Sequence, residues 1–508
     1  MCSLEDYKKE FLDTVEEQIA YKPLRSVLIQ ELEEHIFDRM EEYEARGISQ
    51  KEAGELAVRD MGDPVVIGTE LNTVHRIQKA PALAAMTLLL ISLGFVGAVW
   101  MRWSPEQYSN GCLYYIPGLF LLILMAWKGY PFMIRHSKQL LILAGSLFLA
   151  GEVLCTQKML PFWKMGYFLG YFRYFGILLF APFLILLAYR LRRYQSKAIL
   201  TAFVLCGACI LFPGFYRGYN RDLSACAVLA VSVTGTLLMM NHRDIFTGST
   251  LSRKGMYGIL FTGLAAVGSL FVFTGSRREA LYQFINPDAS IRSTWDDTYN
   301  SALIRRLLSE TPLIGGIDLT SQELMDYGTG AWYFEKRDPR QIGIYAIYHT
   351  EEEEQRFEAA VAKARDEGGL PRYIHFDESN VTLWDILPQH YHNNYQIALC
   401  ILLFGWLAGA VLLAAVAGFY LMLFACIRKI RGRLAFSLSC CCGICLLMEG
   451  ILYILGNFGY QYASFTSLPM ISEGRISIVV NMLLLGFIFS AYRYDRVEAE
   501  PIQGSVPS

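Results

Sequence analysis

The chain has 508 residues, of which 54% are hydrophobic and only 18% charged, with a formal net charge of −2. A soluble domain of this size needs more charged residues to cover its surface. The composition therefore excludes a soluble globular protein. It predicts an all-α, polytopic membrane protein. The sequence contains neither a basic tract nor a nucleic-acid-binding motif, which argues against nucleic acid as a partner.

Residues 1–78 differ from the rest of the chain because they are polar and charged. Apolar residues at helical spacing predict three helices, over residues 4–20, 22–46 and 50–61. Ser49 and Glu52 have the spacing of a capping box, which would open the third helix. Gly62-Asp63-Pro64 is expected to end it. We therefore expect residues 1–78 to form a small soluble helical bundle.

This segment resembles the HAAS-type or permease-prefix domain found ahead of transporters and other membrane proteins in Gram-positive bacteria. The resemblance rests on local motifs, namely Glu31-Leu32-Glu33-Glu34-His35-Ile36-Phe37-Asp38, Gly47-Ile48-Ser49, Glu52-Ala53 and Met61-Gly62-Asp63-Pro64. It implies a cytoplasmic module that regulates the chain or binds another protein. A solubilising N-terminal cap without a partner is the alternative interpretation.

A helix needs about 20 apolar residues to cross a bilayer, and residues 79–495 contain ten such stretches. They lie near residues 81–100, 112–130, 139–155, 168–189, 198–215, 223–240, 256–275, 395–427, 434–457 and 476–492. Lys and Arg are concentrated in the alternate connections that share a side with residues 1–78. This asymmetry predicts that both termini, including the 496–508 tail, are cytoplasmic.

The polar segment 276–394 lies between the seventh and eighth predicted spans and is therefore expected to be a large extracytoplasmic loop. Because spans hold both of its ends, the loop must stay near the bilayer surface. This position suits a protein that acts on a polar group carried by a lipid. Residues 318–383 of this loop include a predicted acidic helix over 350–368, which would dock a partner ectodomain or be a solvated decoration.

Four short motifs in the membrane region carry a second resemblance. They are Leu468-Pro469-Met470-Ile471-Ser472-Glu473-Gly474-Arg475-Ile476-Ser477, Asn220-Arg221-Asp222-Leu223-Ser224, Arg278 with Phe284-Ile285-Asn286-Pro287, and Leu387-Pro388 through His392-Asn393. With the ten-helix plan and the single large loop, they resemble the SEDS family of shape, elongation, division and sporulation proteins, typified by RodA, FtsW and SpoVE. The resemblance implies polymerisation of lipid II, an undecaprenyl-linked precursor, into glycan strands in partnership with a class B penicillin-binding protein. Compared with the family, about residues 318–383 of the loop are an insertion.

The implied reaction is glycosyl transfer, which needs a base for the attacking sugar hydroxyl. It also needs cationic groups, or a divalent cation as cofactor, to stabilise the departing diphosphate. Ser290 stands where the family has its essential Asp, so Asp288 is the candidate base, with Asp296 and Asp297 nearby. Arg277 and Arg278 are candidate diphosphate contacts because a guanidinium matches phosphate geometry. Flanking of a helix end is their alternative role.

Several other family residues are replaced in this chain. Asn393 or Asn394 stands in place of an acid, and Leu402-Leu403-Phe404-Gly405 replaces Glu-Glu-Leu-Gly. Arg173 is the only charged candidate where the family has Gln-Pro-Ser-Glu followed by Lys. These losses keep open a catalytically degenerate scaffold or regulator that binds a penicillin-binding protein. A flippase for a lipid-linked precursor is a further alternative.

Three more residues are candidate substrate contacts. Asp222 is predicted at the outer start of a helix, Ser472 lies in the motif before the last span, and Glu449 lies inside the ninth span. An ionisable residue within a span is a functional candidate by default, although a buried hydrogen-bonding role is the alternative for Glu449. His390 and His392 lack a third ligand, so we interpret them as a polar interfacial pair and predict no metal site there.

Overall fold

The structure is a computed structural model of the chain. It describes residues 4–498 apart from 103–110, 157–162, 215–222, 247–251, 274, 289–290, 292–296, 331, 334–344, 347–354, 356–358, 360–373, 376–381, 389 and 473.

The chain begins with four helices, one more than predicted. They are α1 (Leu4–Gln18), α2 (Lys22–Ala45), α3 (Gln50–Met61) and α4 (Pro64–Val74). Their inward faces form a separate hydrophobic core that includes the fully buried Val15, Ile19 and Ile36. The helices are amphipathic, so this core excludes water while the charged faces remain exposed.

The turn at Gly62-Asp63-Pro64 starts a helix as well as ending one. The Asp63 carboxylate accepts hydrogen bonds from the amides of Val65 and Val66, and Pro64 occupies the first turn of α4. Proline is favoured there because its missing amide would be unpaired anyway. The predicted capping box at Ser49 is wrong, since the Ser49 side chain makes no capping hydrogen bond.

The remaining chain is dominated by long apolar helices, which confirms the predicted all-α, polytopic fold. Their bounds are α5 (Pro81–Arg102), α6 (Tyr115–Thr156), α7 (Trp163–Arg190), α8 (Ser196–Gly214), α9 (Leu223–His242) and α10 (Arg253–Phe273). Shorter helices follow, α11 (Gly275–Ile285), α12 (Asp297–Glu310), α13 (Ser321–Thr329), α14 (Leu383–Ile386), α15 (Tyr391–Asn394) and α16 (Gln396–Phe404). The last three are α17 (Trp406–Lys429), α18 (Arg433–Asn457) and α19 (Arg475–Tyr494).

Within the described residues, seven helices are long and apolar enough to cross a membrane. They are Pro81–Trp100, Gly111–Leu147, Leu223–His242, Arg253–Phe273, Trp406–Lys429, Arg433–Asn457 and Ile476–Tyr494. Tyr174–Arg190 and Ser196–Leu211 are shorter apolar helices. In the same part of the chain, a two-residue parallel pairing of β1 (Tyr345–Ala346) with β2 (Ile374–His375) is the only sheet.

Apart from residues 112–114, which form a 3₁₀ turn, the second and third predicted spans both fall within α6, which is kinked at His136 (φ −111°, ψ 19°). The neighbouring Ser137 hydroxyl donates to the Ile134 carbonyl at 3.3 Å. Such a bond back to the preceding turn competes with the helical ladder and favours bending. Arg190, at the end of α7, donates to the same Ser137 hydroxyl oxygen at 2.6 Å, so the kink lies beside the end of α7.

The eighth predicted span, 395–427, is two helices rather than one. Gly405 separates α16 from α17 with a φ of +90°, a conformation that glycine adopts without steric cost. Residues 312–317 form backbone hydrogen bonds with the residues on both sides of Gly405. They run from Gly315 N to Phe404 O (3.3 Å), Ile317 N to Leu402 O (2.8 Å), Trp406 N to Pro312 O (3.1 Å) and Leu407 N to Leu313 O (3.0 Å).

The helices define two ends of the membrane region. At one, here called the terminal end, the N-terminal helices meet the end of α19, where the Gln78 amide donates to the Arg493 carbonyl at 3.0 Å. At the other, the loop end, α10 leads into the 276–394 segment and α18 joins α19. The buried helix α18 packs against α7, α9 and α19 and so runs through the centre of the bundle from one end to the other.

Candidate functional site

The α18–α19 connection, residues 458–474, folds back into the helix bundle at the loop end. Its Thr466 hydroxyl donates to the Glu449 carbonyl at 2.7 Å. Glu449 precedes the end of α18 at Asn457 by more than two helical turns, which corresponds to about 12 Å along the axis. The connection therefore reaches well below the end of the helix that it follows.

The first motif forms the second half of this connection and is packed tightly. The Tyr115 hydroxyl of α6 donates to the Met470 carbonyl at 2.8 Å. A Cβ atom on Gly94 of α5 would lie only 2.2 Å from the same oxygen. Met470 itself has a φ of +66°, which is uncommon for a residue with a side chain. Contacts from α5 and α6 thus hold the Leu468–Ser472 turn in one conformation.

The motif that closes the 276–394 segment is held by two side chains of α18. The Tyr453 hydroxyl donates to the Asn393 carbonyl at 2.6 Å. The Asn457 side-chain amide donates to the Asn394 carbonyl at 2.9 Å. Its oxygen accepts from the amides of Ile397 and Ala398, both at 3.0 Å. Asn457 therefore caps the start of α16 while it fixes the motif before it.

This closing motif also lies against the first motif. The Asn393 Oδ1 atom is 3.4 Å from where a Cβ of Gly474 would stand. His390 has a left-handed backbone (φ 62°) and an exposed side chain, whereas Tyr391 is only 1% exposed. The Tyr391 ring packs 5.5 Å from Trp384. The closing motif therefore lies next to the first motif at Asn393, and its Tyr391 is buried against Trp384.

The motif that opens the segment reaches the first half of the α18–α19 connection. The Phe284 ring packs edge-on against Tyr462 at 5.9 Å, and burial raises the pKa of the Tyr462 hydroxyl. Asp288 forms an ion pair with Arg305. Arg305 also donates to the Gly459 carbonyl at 2.7 Å. Asp288 is 65% exposed and Arg305 is 23% exposed, so the carboxylate faces solvent with a cation beside it.

The Asn220–Ser224 motif, second in the order given above, reaches the same connection through Leu223 and Ser224 at the start of α9. The hydroxyl oxygens of Ser224 and Ser464 are 2.9 Å apart and form a hydrogen bond. Leu223 packs with Ala280 and Tyr462 in a small cluster. Asp222 lies outside the described residues. Three of the motifs singled out in the sequence therefore reach residues 458–474, which contain most of the first motif.

The two adjacent arginines are placed differently. Arg277 is 1% exposed and donates to the carbonyl oxygens of Leu270 and Ile210, which bind it to α10 and α8. Arg278 is exposed. Of the two predicted diphosphate contacts, only Arg278 is presented at the surface. Asp296 and the side chain of Asp297 lie outside the described part of the chain.

Glu449 and Ser472 are both enclosed, with exposures of 0% and 2%. Glu449 Oε1 accepts from the Ser467 hydroxyl at 3.3 Å and from the Tyr174 hydroxyl at 3.4 Å. Asn481 of α19 donates to the Ser467 oxygen at 2.9 Å. These groups form a buried polar cluster directly beneath the first motif, and Ser467 immediately precedes that motif.

Sequence reasoning missed four residues that organise this region, namely Arg305, Tyr453, Asn457 and Asn481. Asn457 and Asn481 stand within predicted spans, but their carboxamides are not ionisable, so the rule that flagged Glu449 does not cover them. A polar side chain within an apolar span is the signal that could have found them. Arg305 lacks a comparable local signal because its partners, Asp288 and Gly459, are distant in sequence. Among the described residues no group of three or more His, Cys, Asp or Glu side chains is arranged to hold a metal ion.

Comparison with known proteins finds similarity among solved structures but not among sequences. No protein-family profile and no curated protein matches the sequence. Among solved structures, the chain is similar to one from a peptidoglycan synthase complex described as coordinating polymerization and crosslinking. The two are 15% identical with a TM-score of 0.44, and the match covers 81% of this chain and 98% of that chain.

Proposed function

We propose that this chain is a SEDS-like protein of a Gram-positive bacterial membrane that polymerises lipid II glycan strands. In this proposal both termini are cytoplasmic and the loop end faces outward. The supporting observation is that the four motifs that resemble the family, though far apart in sequence, meet around residues 458–474. A site at the loop end would contact the bilayer surface, where a lipid-linked diphosphate sugar presents its headgroup.

In the proposed reaction the Asp288 carboxylate takes the proton from an acceptor sugar hydroxyl. The hydroxyl oxygen then attacks the anomeric carbon of the donor. The bond from that carbon to the diphosphate-lipid oxygen breaks, and the diphosphate leaves with the electron pair. Arg278, together with a divalent cation if one binds, would stabilise the developing negative charge.

A scaffold without catalytic activity is the second candidate, and two contacts favour it. The ion pair with Arg305 already engages Asp288. Arg277 is buried and bonded to backbone carbonyls rather than presented to a substrate. In this alternative the loop end, including the 318–383 insertion, binds the ectodomain of a class B penicillin-binding protein without catalysing transfer.

Glycan polymer formation from labelled lipid II distinguishes the two candidates. The purified full chain would be assayed alone and with class B penicillin-binding proteins, beside an established SEDS polymerase. A rate of polymer formation that falls at least a hundredfold in Asp288→Ala would support the transferase, since a positioned base contributes about 10²–10⁴-fold to the rate. Asp318→Ala is the matched control, because Asp318 is an exposed acid of the same loop.

Absence of polymer, under conditions in which the established polymerase is active, would overturn the transferase proposal. Co-purification of the inactive chain with a penicillin-binding protein would then support the scaffold.

A further inference from the structure

The buried cluster around Glu449 contains two hydrogen-bond acceptors that lack a donor. Within the described residues, Glu449 Oε2 and Asn481 Oδ1 are buried and have no hydrogen-bond partner. Both residues contact the Ser467 hydroxyl, Glu449 at 3.3 Å and Asn481 at 2.9 Å. Buried polar atoms are rarely left unpaired because each costs free energy. The two atoms therefore need a hydrogen-bond donor or a cation that the described side chains do not supply.

The cluster is enclosed on all sides by side chains of several elements. Glu449 and Asn481 are 0% and 1% exposed, and Ser467, Thr466 and Tyr174 are at most 8% exposed. The described Lys, Arg and His residues form no ion pair with Glu449. A carboxylate buried without a cation is strongly unfavourable, so Glu449 either holds a proton or binds a cation.

The available ligands select the chemistry of the occupant. The cluster offers oxygen atoms of one carboxylate, one carboxamide and the hydroxyls of Ser467 and Tyr174, which suit a hard cation. The cluster contains one acidic side chain, so a monovalent cation gives a neutral buried site. A divalent cation would leave one uncompensated positive charge.

We propose that Glu449, Ser467 and Asn481 form a binding site for a sodium ion inside the helix bundle. The site joins α18 and α19 through the α18–α19 connection, because Ser467 belongs to that connection. Occupancy would hold the Leu468–Ser472 turn against the two helices. This proposal goes beyond the proposed function and does not depend on glycan polymerisation.

The test measures thermal unfolding of the purified full chain in nanodiscs across a NaCl series, with N-methyl-D-glucamine chloride keeping the ionic strength constant. The expected result is a Tm that rises with sodium and then saturates, because a ligand that binds only the folded state stabilises it. KCl and MgCl2 at equal ionic strength are not expected to reproduce the effect. Binding of radioactive sodium provides the second, direct measurement.

Two kinds of variant locate the site. Glu449→Gln should abolish the sodium dependence, whereas Glu279→Gln, at an exposed acid of α11, should retain it. Asn481→Ala and Ser467→Ala should raise the half-saturating sodium concentration by about tenfold or more. They also locate the site if Glu449→Gln does not fold.

A wild-type Tm that does not respond to sodium, together with no binding of radioactive sodium, would overturn the proposal. In that case, a Glu449→Gln protein as stable as wild type in sodium-free buffer would indicate that the Glu449 carboxyl is protonated and needs no bound cation. Equal or greater stabilisation by Mg²⁺ would also overturn it. If the chain binds sodium but forms no glycan polymer, that result counts against the proposed function and not against the sodium site.

Discussion

At the scale of single residues, Asn457 joins the end of α18 to the closing motif and to the start of α16. Its side chain is fully buried and hydrogen-bonds to the Asn394 and Tyr453 carbonyls and to the Ile397 and Ala398 amides. Asn457→Ala would take this partner from the Ile397 and Ala398 amides and the Asn394 carbonyl, whereas the Tyr453 carbonyl keeps its helical bond to the Asn457 backbone amide. Each such group costs about 1–3 kcal/mol, so we expect a loss of about 3 kcal/mol or more.

Thermal unfolding checks this expectation as a clear fall in Tm. Gln461→Ala is the control, because the Gln461 side chain donates one partly buried hydrogen bond, to the Ala463 carbonyl. Equal Tm values for Asn457→Ala and the control would contradict the assigned role of Asn457.

Glu323 gives a residue-scale prediction of pH dependence. The Thr320 backbone amide and hydroxyl donate to its carboxylate and lower the Glu323 pKa below its ordinary value of 4.5. A lowered folded-state pKa means that this cap is fully present above about pH 4.5 and is lost as the pH falls through the lowered value. Hydrogen exchange at the Leu324 amide, corrected for its intrinsic pH dependence, should therefore accelerate in acid.

Glu323→Gln is the matched variant, since its side chain does not titrate. Its corrected exchange at Leu324 should not vary with pH over the same window. An acid-induced acceleration of the same size in this variant would assign the effect to another group.

At the scale of elements, the break between α16 and α17 depends on Gly405. A Cβ there would lie 2.7 Å from the Leu313 carbonyl oxygen, at a backbone φ of +90°. We expect Gly405→Ala to cost about 2 kcal/mol or more, because left-handed strain alone costs about 1–2 kcal/mol. The 312–317 segment should separate from the break, and limited proteolysis at that segment would detect it.

Gly268→Ala is the control at the element scale. Gly268 lies within α10, and a Cβ there would meet no atom within 4 Å. This substitution should stabilise the helix slightly, by up to about 1 kcal/mol. Equal protection of residues 312–317 in both variants would show that Gly405 is not required for the docking.

At the scale of the whole molecule, the chain's last described residues connect the N-terminal helices to the membrane helices. The Asp495 carboxylate accepts from the Arg431 and Gly432 amides at 2.9 and 2.6 Å and from the Gln78 side chain at 3.4 Å. The Tyr21 ring packs 6.2 Å from that of Tyr494. The turn between α17 and α18 is therefore linked through Asp495 to the segment between α4 and α5, and Tyr494 contacts Tyr21 at the start of α2.

Tyr21→Ala tests this link. It should speed hydrogen exchange at residues 493–498 and at the start of α2 several-fold, because it removes the ring contact and a hydrogen bond to Glu498. Exchange in the centre of α18 should not change. Tyr7→Ala, at a residue 45% exposed, is the control, and an equal effect there would assign the change to the N-terminal core.

Hydropathy by itself determined that the chain is an all-α membrane protein and where most of its helices lie, because crossing a bilayer imposes a local requirement on length and apolarity. Local motifs also identified residues that meet in the fold, including Asn393 and Gly474. Hydropathy could not find the break at Gly405, because the apolar run continues through it and the pairing partner, residues 312–317, is distant in sequence. Sequence reasoning likewise left the roles of Arg277 and Glu449 open. Tertiary packing decided that Arg277 is buried on backbone carbonyls and that Glu449 lies beneath the α18–α19 connection, because burial depends on which chain segments fold together.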